Sequence, residues 1–212
     1  DVAGVAHMAQ QLSDMGIDHI DLGGFENNVS VSIDQVEANA LINAGLDFAG
    51  DDTINLNVDA AASGTHLTNS LKDLSKLGVN AINVFGDDQV NVDLGTGAFG
   101  ADGVDFKLAG LFGDKDGDFK LSAAEDAALS VTLNANASDV AGIAHMSKEL
   151  GAMGIDHIDL GGAGQNVAVS IDQVEANALI NAGLDFAGKD DVTLDVNGLE
   201  DEHLYVLSDV LQ

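Results

Sequence analysis

The chain has 212 residues and a formal net charge of −29, and it contains no arginine, proline or cysteine. Carboxylates at this density repel phosphate backbones and anionic lipid, and no long apolar run is present, so we expect no nucleic-acid partner and no membrane insertion. The absence of cysteine excludes disulfides, thiolate metal sites and cysteine nucleophiles. The partner that this charge favours is a hard cation, above all Ca²⁺.

The sequence contains an internal repeat. Residues 1–58 and 139–196 align without a gap and are identical at most positions, and VSIDQVEANALINAGLDFAG occurs unchanged at 31–50 and 169–188. Periods of this size are typical of stacked units that share one core. We therefore expect repeats over 1–60, 61–138 and 139–198, the start of a further one over 199–212, and a chain that belongs to a longer array. The middle repeat is diverged and carries an acidic loop insertion.

The first half of each copy predicts a helix followed by a strand. The apolar residues of Val5–Met15 recur at helical spacing, and Gly16 follows where a helix-ending glycine is common. The segment Ile17–Leu22 alternates as a strand does, with His19 and Asp21 on the face opposite to its aliphatic side chains.

The second half predicts another helix and two more strands. Ser32 and Gln35 have the spacing of a capping box, which would begin a helix over Ile33–Ala44. Strands are predicted at Leu46–Phe48 and Thr53–Val58. The helix positions expected to point inward are Ile33, Val36, Ala40, Leu41 and Ala44.

Helix-then-strand order with short connections requires parallel strands. Parallel strands lie about 4.8 Å apart whereas packed helices need about 8–10 Å, so a stack that obeys both spacings must curve with its strands on the concave side. The sequence therefore predicts an α/β fold, specifically a curved repeat solenoid of helix–strand half-units with a parallel sheet and a leucine-rich-repeat-like architecture. A compact α/β domain duplicated in tandem is the alternative.

The middle repeat contains the sharpest chemical motif, DKDGDFKLSAAE, which has the ligand spacing of an EF-hand loop. Phe119 stands where such a loop normally needs glycine for its sharp turn. We expect Ca²⁺ to bind here, and a solvated acidic turn that caps a following helix is the alternative. The expected metal ligands are Asp114, Asp116, Asp118, Lys120 through its backbone carbonyl, Ser122 and Glu125.

Other acidic and histidine residues are expected to be structural. The acidic pairs at turns are interpreted as solvated, because two carboxylates seldom fill the six to eight ligand positions of Ca²⁺. The histidines recur at repeat spacing, which separates equivalent residues too widely for a shared zinc ion. The acidic pairs are Asp51/Asp52, Asp87/Asp88 and Asp190/Asp191, and the histidines are His7, His19, His66, His145, His157 and His203.

No catalytic motif is present in the sequence, which lacks a nucleophile elbow, a phosphate-binding glycine loop followed by lysine, and an H-E-x-x-H pair. We therefore expect no enzymatic activity.

The chain resembles the tandem repeats of very long secreted bacterial surface proteins, the type I-secreted, RTX-associated adhesins and biofilm matrix proteins. The resemblance lies in the order of its elements, which are a helix, an LGI-type turn, an IDL strand, a second helix, the segment AGLDFA and an acidic turn. The residues that carry the resemblance are Gly16–Leu22 with Val31–Val58, and Gly154–Leu160 with Val169–Val196. The resemblance implies secretion to the bacterial cell surface, folding where Ca²⁺ is millimolar, and a role as a spacer or adhesive stalk. The tandem RTX nonapeptides are missing, so calcium-driven β-roll folding is not implied.

The sequence thus predicts a non-catalytic structural or adhesive module, stabilised by Ca²⁺ and packed against neighbouring repeats of the same chain. One alternative is a calcium-responsive module in which Asp114–Glu125 switches the middle repeat. Another is a polysaccharide-binding or enzymatic domain on the concave strand face, with surface or matrix polysaccharide as partner, although scarce aromatic residues argue against sugar stacking.

Overall fold

The computed structural model describes residues 2–23, 29–50, 52–59, 65–85, 89–95, 99–100, 103–104, 130–162, 165–187 and 189–196. These residues form a mixed α/β structure with parallel sheets, which confirms the predicted class. The one antiparallel pairing among them joins two short strands, Phe99–Gly100 and Gly103–Val104.

The helices and strands of the described residues follow in chain order. The helices are α1 (Val2–His7), α2 (Ala9–Asp14), α3 (Gln35–Ala44), α4 (Leu71–Leu77), α5 (Val140–His145), α6 (Ser147–Ala152) and α7 (Gln173–Ala182), with a 3₁₀ turn at Ala137–Asp139. The strands are β1 (His19–Ile20), β2 (Ser30–Asp34), β3 (Asp47–Phe48), β4 (Thr53–Asp59), β5 (Thr65–His66), β6 (Val79–Phe85), β7 (Gln89–Asp93), β8 (Phe99–Gly100), β9 (Gly103–Val104), β10 (Ser130–Ala135), β11 (His157–Leu160), β12 (Ala168–Asp172), β13 (Asp185–Phe186) and β14 (Asp191–Asp195).

The strands pair across the intervening helices. A five-stranded sheet has the order β13-β11-β10-β7-β5, and a three-stranded sheet has the order β2-β4-β6. The remaining parallel pairs are β1 with β3 and β12 with β14. Strands β2 and β4 flank α3 in the chain as β12 and β14 flank α7, so the two sequence copies form the same local arrangement.

The first predicted helix is interrupted, and the strand after it is short. The predicted segment Val5–Met15 is divided between α1 and α2 by Met8, whose backbone is not helical (φ −101°). The strand expected over Ile17–Leu22 is reduced to β1, whereas its equivalent β11 has four residues. The difference has a simple cause: β11 pairs with β10 and β13, whereas β1 pairs with β3 alone among the described strands.

The helix α3 begins later than predicted. The predicted capping box of Ser32 and Gln35 is wrong, because Ser32 lies within β2, paired with β4. The cap is instead formed by Asp34, whose carboxylate accepts the Glu37 N–H at 2.8 Å while the Glu37 carboxylate accepts the Asp34 N–H at 3.0 Å. Gly45 ends the helix in the left-handed conformation (φ +76°), as its position predicts.

The shifted start changes which side chains of α3 are buried. Ala38 and Leu41 are fully buried, but Val36, which was expected to point inward, is 77% exposed, so that prediction is wrong. The core is aliphatic, as the composition implies, and joins the inner faces of the strands to the helices in one cluster. Within the five-stranded sheet, Val131 and Leu133 are fully buried while the residues between and after them form the opposite face.

Candidate functional site

The outward face of the five-stranded sheet carries a continuous set of polar side chains. Parallel pairing places them in two rows, because in-register residues on neighbouring strands lie side by side. The first row contains His66, Asn91, Thr132, His157 and Asp185, and the second contains Asp93, Asn134 and Asp159.

One end of this face is a hydrogen-bonded triad. His66 Nε2 lies 2.9 Å from Asp93 Oδ2, and Asn134 Nδ2 lies 3.3 Å from Asp93 Oδ1 and 3.4 Å from His66 Nδ1. A neutral His66 with its proton on Nε2 satisfies these contacts, since it donates to Asp93 and accepts from Asn134. The Asn134 amide nitrogen therefore bonds to residues of β7 and β5.

The Asn134 carbonyl oxygen has no partner of this kind. Oδ1 is buried and accepts no hydrogen bond from the described residues, and the in-register residue on the other neighbouring strand is Asp159. Partial burial raises the pKa of Asp159, and the nearby charge of Asp190 raises this pKa further. A protonated Asp159 carboxyl is the form that can donate towards Asn134 Oδ1, whereas an ionised one adds a second acceptor beside it.

The other end of the face has a histidine–carboxylate pair that occurs in both copies. His157 Nδ1 contacts the Asp185 carboxylate across β11 and β13, and His19 Nδ1 contacts Asp47 across β1 and β3. The hydrogen bond that the His19 ring donates to Asp47, and then the charge of Asp47, raise the pKa of His19. These contacts agree with a structural role for the recurring histidines, because each links two neighbouring strands.

A groove of about 610 Å³ opens where β7 and β10 end. Two of its carboxylates are used in local capping: Asp73 accepts from the Ser70 hydroxyl at 2.6 Å, and Asp139 accepts from the backbone N–H of Asn136 at 3.2 Å. The groove is thus acidic and polar, and its Thr68 hydroxyl donates to Gln35 Oε1 at 3.2 Å. Its lining residues are Thr68, Ser70, Asp73, Asp93, Leu94, Gly95, Asn134, Ala135, Asn136 and Asp139.

One carboxylate in each copy accepts hydrogen bonds from backbone N–H groups of two different segments of the chain. Asp52 is 5% exposed, and its two oxygens accept the backbone N–H groups of Leu22 at 3.0 Å and Val29 at 3.1 Å. In the second copy Asp190 accepts the N–H groups of Leu160 at 2.9 Å and Val167 at 3.2 Å. We refer to Asp52 and Asp190 as the loop staples.

A second type of side-chain link joins successive strands. Asn80 Oδ1 accepts the backbone N–H of Ile54 at 2.6 Å, and Asp156 Oδ2 accepts that of Val131 at 2.9 Å. Asn80 and Asp156 each lie two residues after the glycine that follows a helix. Polar residues at this position therefore complete the hydrogen bonding of the neighbouring strand, where an unpaired N–H would be costly.

The predicted acidic turns are only partly described. Asp51, Asp87 and Asp88 lie outside the described residues, and Asp191 is exposed at the start of β14. The interpretation of Asp52 as a solvated acid is wrong, because it is buried against backbone N–H groups that satisfy its charge. Asp190 is likewise bonded rather than freely solvated.

Sequence reasoning missed the loop staples, although a signal for them was present. Position 51 of the first copy is aspartate and its equivalent is Lys189, whereas the next position is aspartate in both copies, Asp52 and Asp190. A charge kept at one position while its neighbour reverses sign indicates a specific partner.

The predicted calcium ligands Asp114, Asp116, Asp118, Lys120, Ser122 and Glu125 lie outside the described residues. Within the residues that are described, no group of three or more histidine, aspartate or glutamate side chains is arranged to hold a metal ion. What the described polar residues do is complete hydrogen bonds between neighbouring strands and across loops.

The described helices include none of the length and hydropathy that a membrane crossing requires. A scan against protein-family models found no match to the chain. Searches of curated proteins and of solved structures found no match either.

Proposed function

We propose that this chain is a non-catalytic structural repeat module of an extracellular bacterial protein, built as a curved α/β solenoid and stabilised by Ca²⁺. The observation that carries the proposal is the loop staple, which accepts hydrogen bonds from the same two backbone positions in each copy. A carboxylate that is bonded to backbone N–H groups of its own chain has a structural rather than a catalytic role.

The use of the polar side chains supports the same conclusion. His19 and His157 each bind a carboxylate on the next strand, and Asn80 and Asp156 each accept a backbone N–H of a neighbouring strand. Catalytic groups need a reacting atom within reach and a pKa matched to proton transfer. Contacts that repeat from strand to strand are what a spacer or adhesive stalk requires.

The calcium part of the proposal rests on charge and on the motif at Asp114–Glu125. The net charge of −29 gives a compact state that repels itself, and bound divalent cations relieve that repulsion. Secretion to the cell surface would place the chain where Ca²⁺ is abundant, as the resemblance to secreted adhesin repeats implies.

Small-angle scattering and thermal unfolding test this function together. An elongated particle is expected, and a compact globular profile would contradict the solenoid. Unfolding is then compared in EGTA, Ca²⁺, Mg²⁺ and NaCl of matched ionic strength, because a ligand of the native state raises the midpoint by mass action. We expect a Ca²⁺-specific rise in the unfolding midpoint that Asp114→Ala abolishes. An equal rise in all three salts would show that Ca²⁺ acts only by screening charge.

Carbohydrate binding is a second candidate, favoured by the polar groove at the ends of β7 and β10. Its hydroxyl, amide and carboxylate groups are of the kinds that bind sugar hydroxyls. A glycan array with the isolated chain tests it, and Asp93→Ala and Asn134→Ala should abolish any signal. Retained binding in both variants would place the sugar elsewhere.

A further inference from the structure

Asn134 lies on β10 between a histidine on one side and a carboxyl group on the other. Its Nδ2 is 3.4 Å from His66 Nδ1 and 3.3 Å from Asp93 Oδ1, and Asp159 is its in-register neighbour on β11. The amide nitrogen thus bonds on the side of β5 and β7, while Oδ1 is buried without a hydrogen-bond partner among the described residues. A buried acceptor without a donor costs free energy, so a change that gives it one is favoured.

The contact between Asn134 and His66 depends on the protonation state of the ring. Nδ1 accepts from the Asn134 amide only while it carries no proton. Nε2 lies 2.9 Å from Asp93 Oδ2 and needs its own proton for that hydrogen bond. Protonation of the ring therefore adds a hydrogen at Nδ1, where it faces the hydrogens of Asn134 Nδ2. Two donors then oppose each other, and the hydrogen bond is lost.

Reversal of the Asn134 amide restores the hydrogen bonding. Rotation by half a turn exchanges the positions of the amide oxygen and nitrogen. Oδ1 then accepts from the protonated Nδ1 of His66, and Nδ2 is turned towards β11, where an ionised Asp159 can accept from it. The reversed carbonyl also lies near Asp93, and the positive charge of the ring offsets that repulsion. The reversed amide therefore has a partner for its oxygen as well as for its nitrogen.

The surroundings of Asn134 permit this rotation. The residue lines the groove of about 610 Å³ where β7 and β10 end, so its side chain borders open space. The amide takes no part in the backbone pairing of β10 with β7 and β11. Its reversal consequently leaves the sheet intact.

The charged groups around Asn134 are mainly acids. Partial burial and then the charge of Asp190 raise the pKa of Asp159, and Lys189 lowers it. The amide nitrogen finds a carboxylate in either orientation, whereas Oδ1 finds a donor only in a protonated His66 ring or a protonated Asp159. The described acids that face the amide or line its groove are Asp93 on β7, Asp159 on β11, Asp73 on α4 and Asp139 in the 3₁₀ turn.

We propose that Asn134 is a two-position hydrogen-bond switch set by the protonation of His66. With a neutral ring, Nδ2 bonds to β5 and β7; with a protonated ring, the amide is reversed and Nδ2 bonds to Asp159 on β11. Histidine changes charge between about pH 5 and 8, so mild acid sets the switch. In acid, a chain of hydrogen bonds from Asp93 through His66 and Asn134 to Asp159 then joins the middle repeat to the second copy.

NMR of the unaltered chain tests the switch directly. The pH is lowered from about 8 to about 5, and the nuclear Overhauser contacts of the Asn134 side-chain amide protons are followed. We expect these contacts to move from the His66 ring to the Asp159 side chain, in step with the change of the His66 ring signals. An amide that keeps the same contacts over the whole range, or that moves out of step with His66, would overturn the proposal.

Replacement of the titrating ring identifies the group that sets the switch. His66→Gln should hold the amide in one orientation at every pH. The matched control is His157→Gln, because His157 lies on the same face of the sheet and contacts Asp185 rather than Asn134. The amide of this control should reverse as it does in the unaltered chain. A reversal that persists in His66→Gln would assign the titration to another group and refute the role of His66.

Urea unfolding measures the link that the reversed amide makes between strands. A double-mutant cycle of His66→Gln and Asp159→Ala should show coupling at about pH 6 and none at about pH 8. The same cycle in an Asn134→Leu background should show no coupling at either pH, because the link passes through the amide. Coupling that survives in Asn134→Leu would show direct attraction between the two charges and contradict the switch. Backbone amide spectra confirm that each variant is folded.

Discussion

His19 and Asp47 lie in register on neighbouring parallel strands, and the imidazole Nδ1 contacts the carboxylate. His157 and Asp185 make the same contact in the second copy. Each pair joins strands that are separated in the chain by a whole helix. A histidine on one strand is thus matched by a carboxylate on the next.

The first prediction concerns the titration of His19. The hydrogen bond to Asp47, followed by the charge of Asp47, raises the pKa of His19, so the folded chain holds this proton more tightly than the unfolded chain. The resulting stabilisation is present below the ordinary histidine pKa and is lost as pH rises through the raised value. We expect the His19 ring signals, followed by NMR, to titrate at a lower pH in Asp47→Asn. An unchanged midpoint in that variant would refute the assigned cause.

The second prediction concerns the loop staples. Asp52→Ala removes the acceptor of two backbone N–H groups in a buried place, and the expected loss is about 3 kcal/mol of the free energy of unfolding. Asp190 is less buried, so Asp190→Ala should cost about 1–2 kcal/mol, since water can partly replace the carboxylate. Urea unfolding measures both. The control is Asp191→Ala, which removes an equal charge from an exposed position and should have little effect.

The third prediction concerns Asp159. Its raised pKa means that ionising it costs more in the folded chain than in the unfolded chain, so stability falls as pH rises through the folded value. Asp159→Asn removes that cost and supplies an N–H for Asn134 Oδ1. The variant should therefore melt at a higher temperature than the unaltered chain at neutral pH. In acid, the difference between the two melting temperatures should be smaller.

The control for Asp159→Asn is Asp21→Asn, which makes the same change at the equivalent exposed position of the first copy. A gain of equal size in both variants would indicate relief of general repulsion rather than the Asn134 contact. A loss of stability in Asp159→Asn at neutral pH would contradict the prediction.

The fourth prediction compares two glycines with positive φ. A Cβ at Gly45 (φ +76°) meets no atom within 4 Å, so Gly45→Ala should cost about 1 kcal/mol through backbone strain alone. A Cβ at Gly95 (φ +103°) would lie 2.5 Å from Ser70 Oγ, at the residue that caps α4. Gly95→Ala should therefore cost about 3 kcal/mol. Equal losses in denaturant unfolding would show that the Ser70 side chain can move away freely.

Much of the local structure was readable from the sequence. Gly16, Gly45 and the equivalent glycines end helices in the left-handed conformation, as their positions predict, because glycine has no Cβ to clash there. The alternation in the IDL segment correctly placed Ile20 inside and His19 and Asp21 outside. The start of α3 was misplaced because Ser32-x-x-Gln35 and Asp34-x-x-Glu37 overlap, and the pairing of β2 with β4 decides between them.

The sequence alone determined the internal repeat, the alternation of helices with parallel strands, the helix-ending glycines and the aliphatic core. These depend on residue type and on spacing within one segment, and such properties act locally. Only the tertiary structure decided that Asp52 is a buried staple while Asp191 is a solvated acid, and that Met153 is covered while Met15 is exposed. Burial depends on what another part of the chain places against a residue, and identical local sequences can differ in that respect.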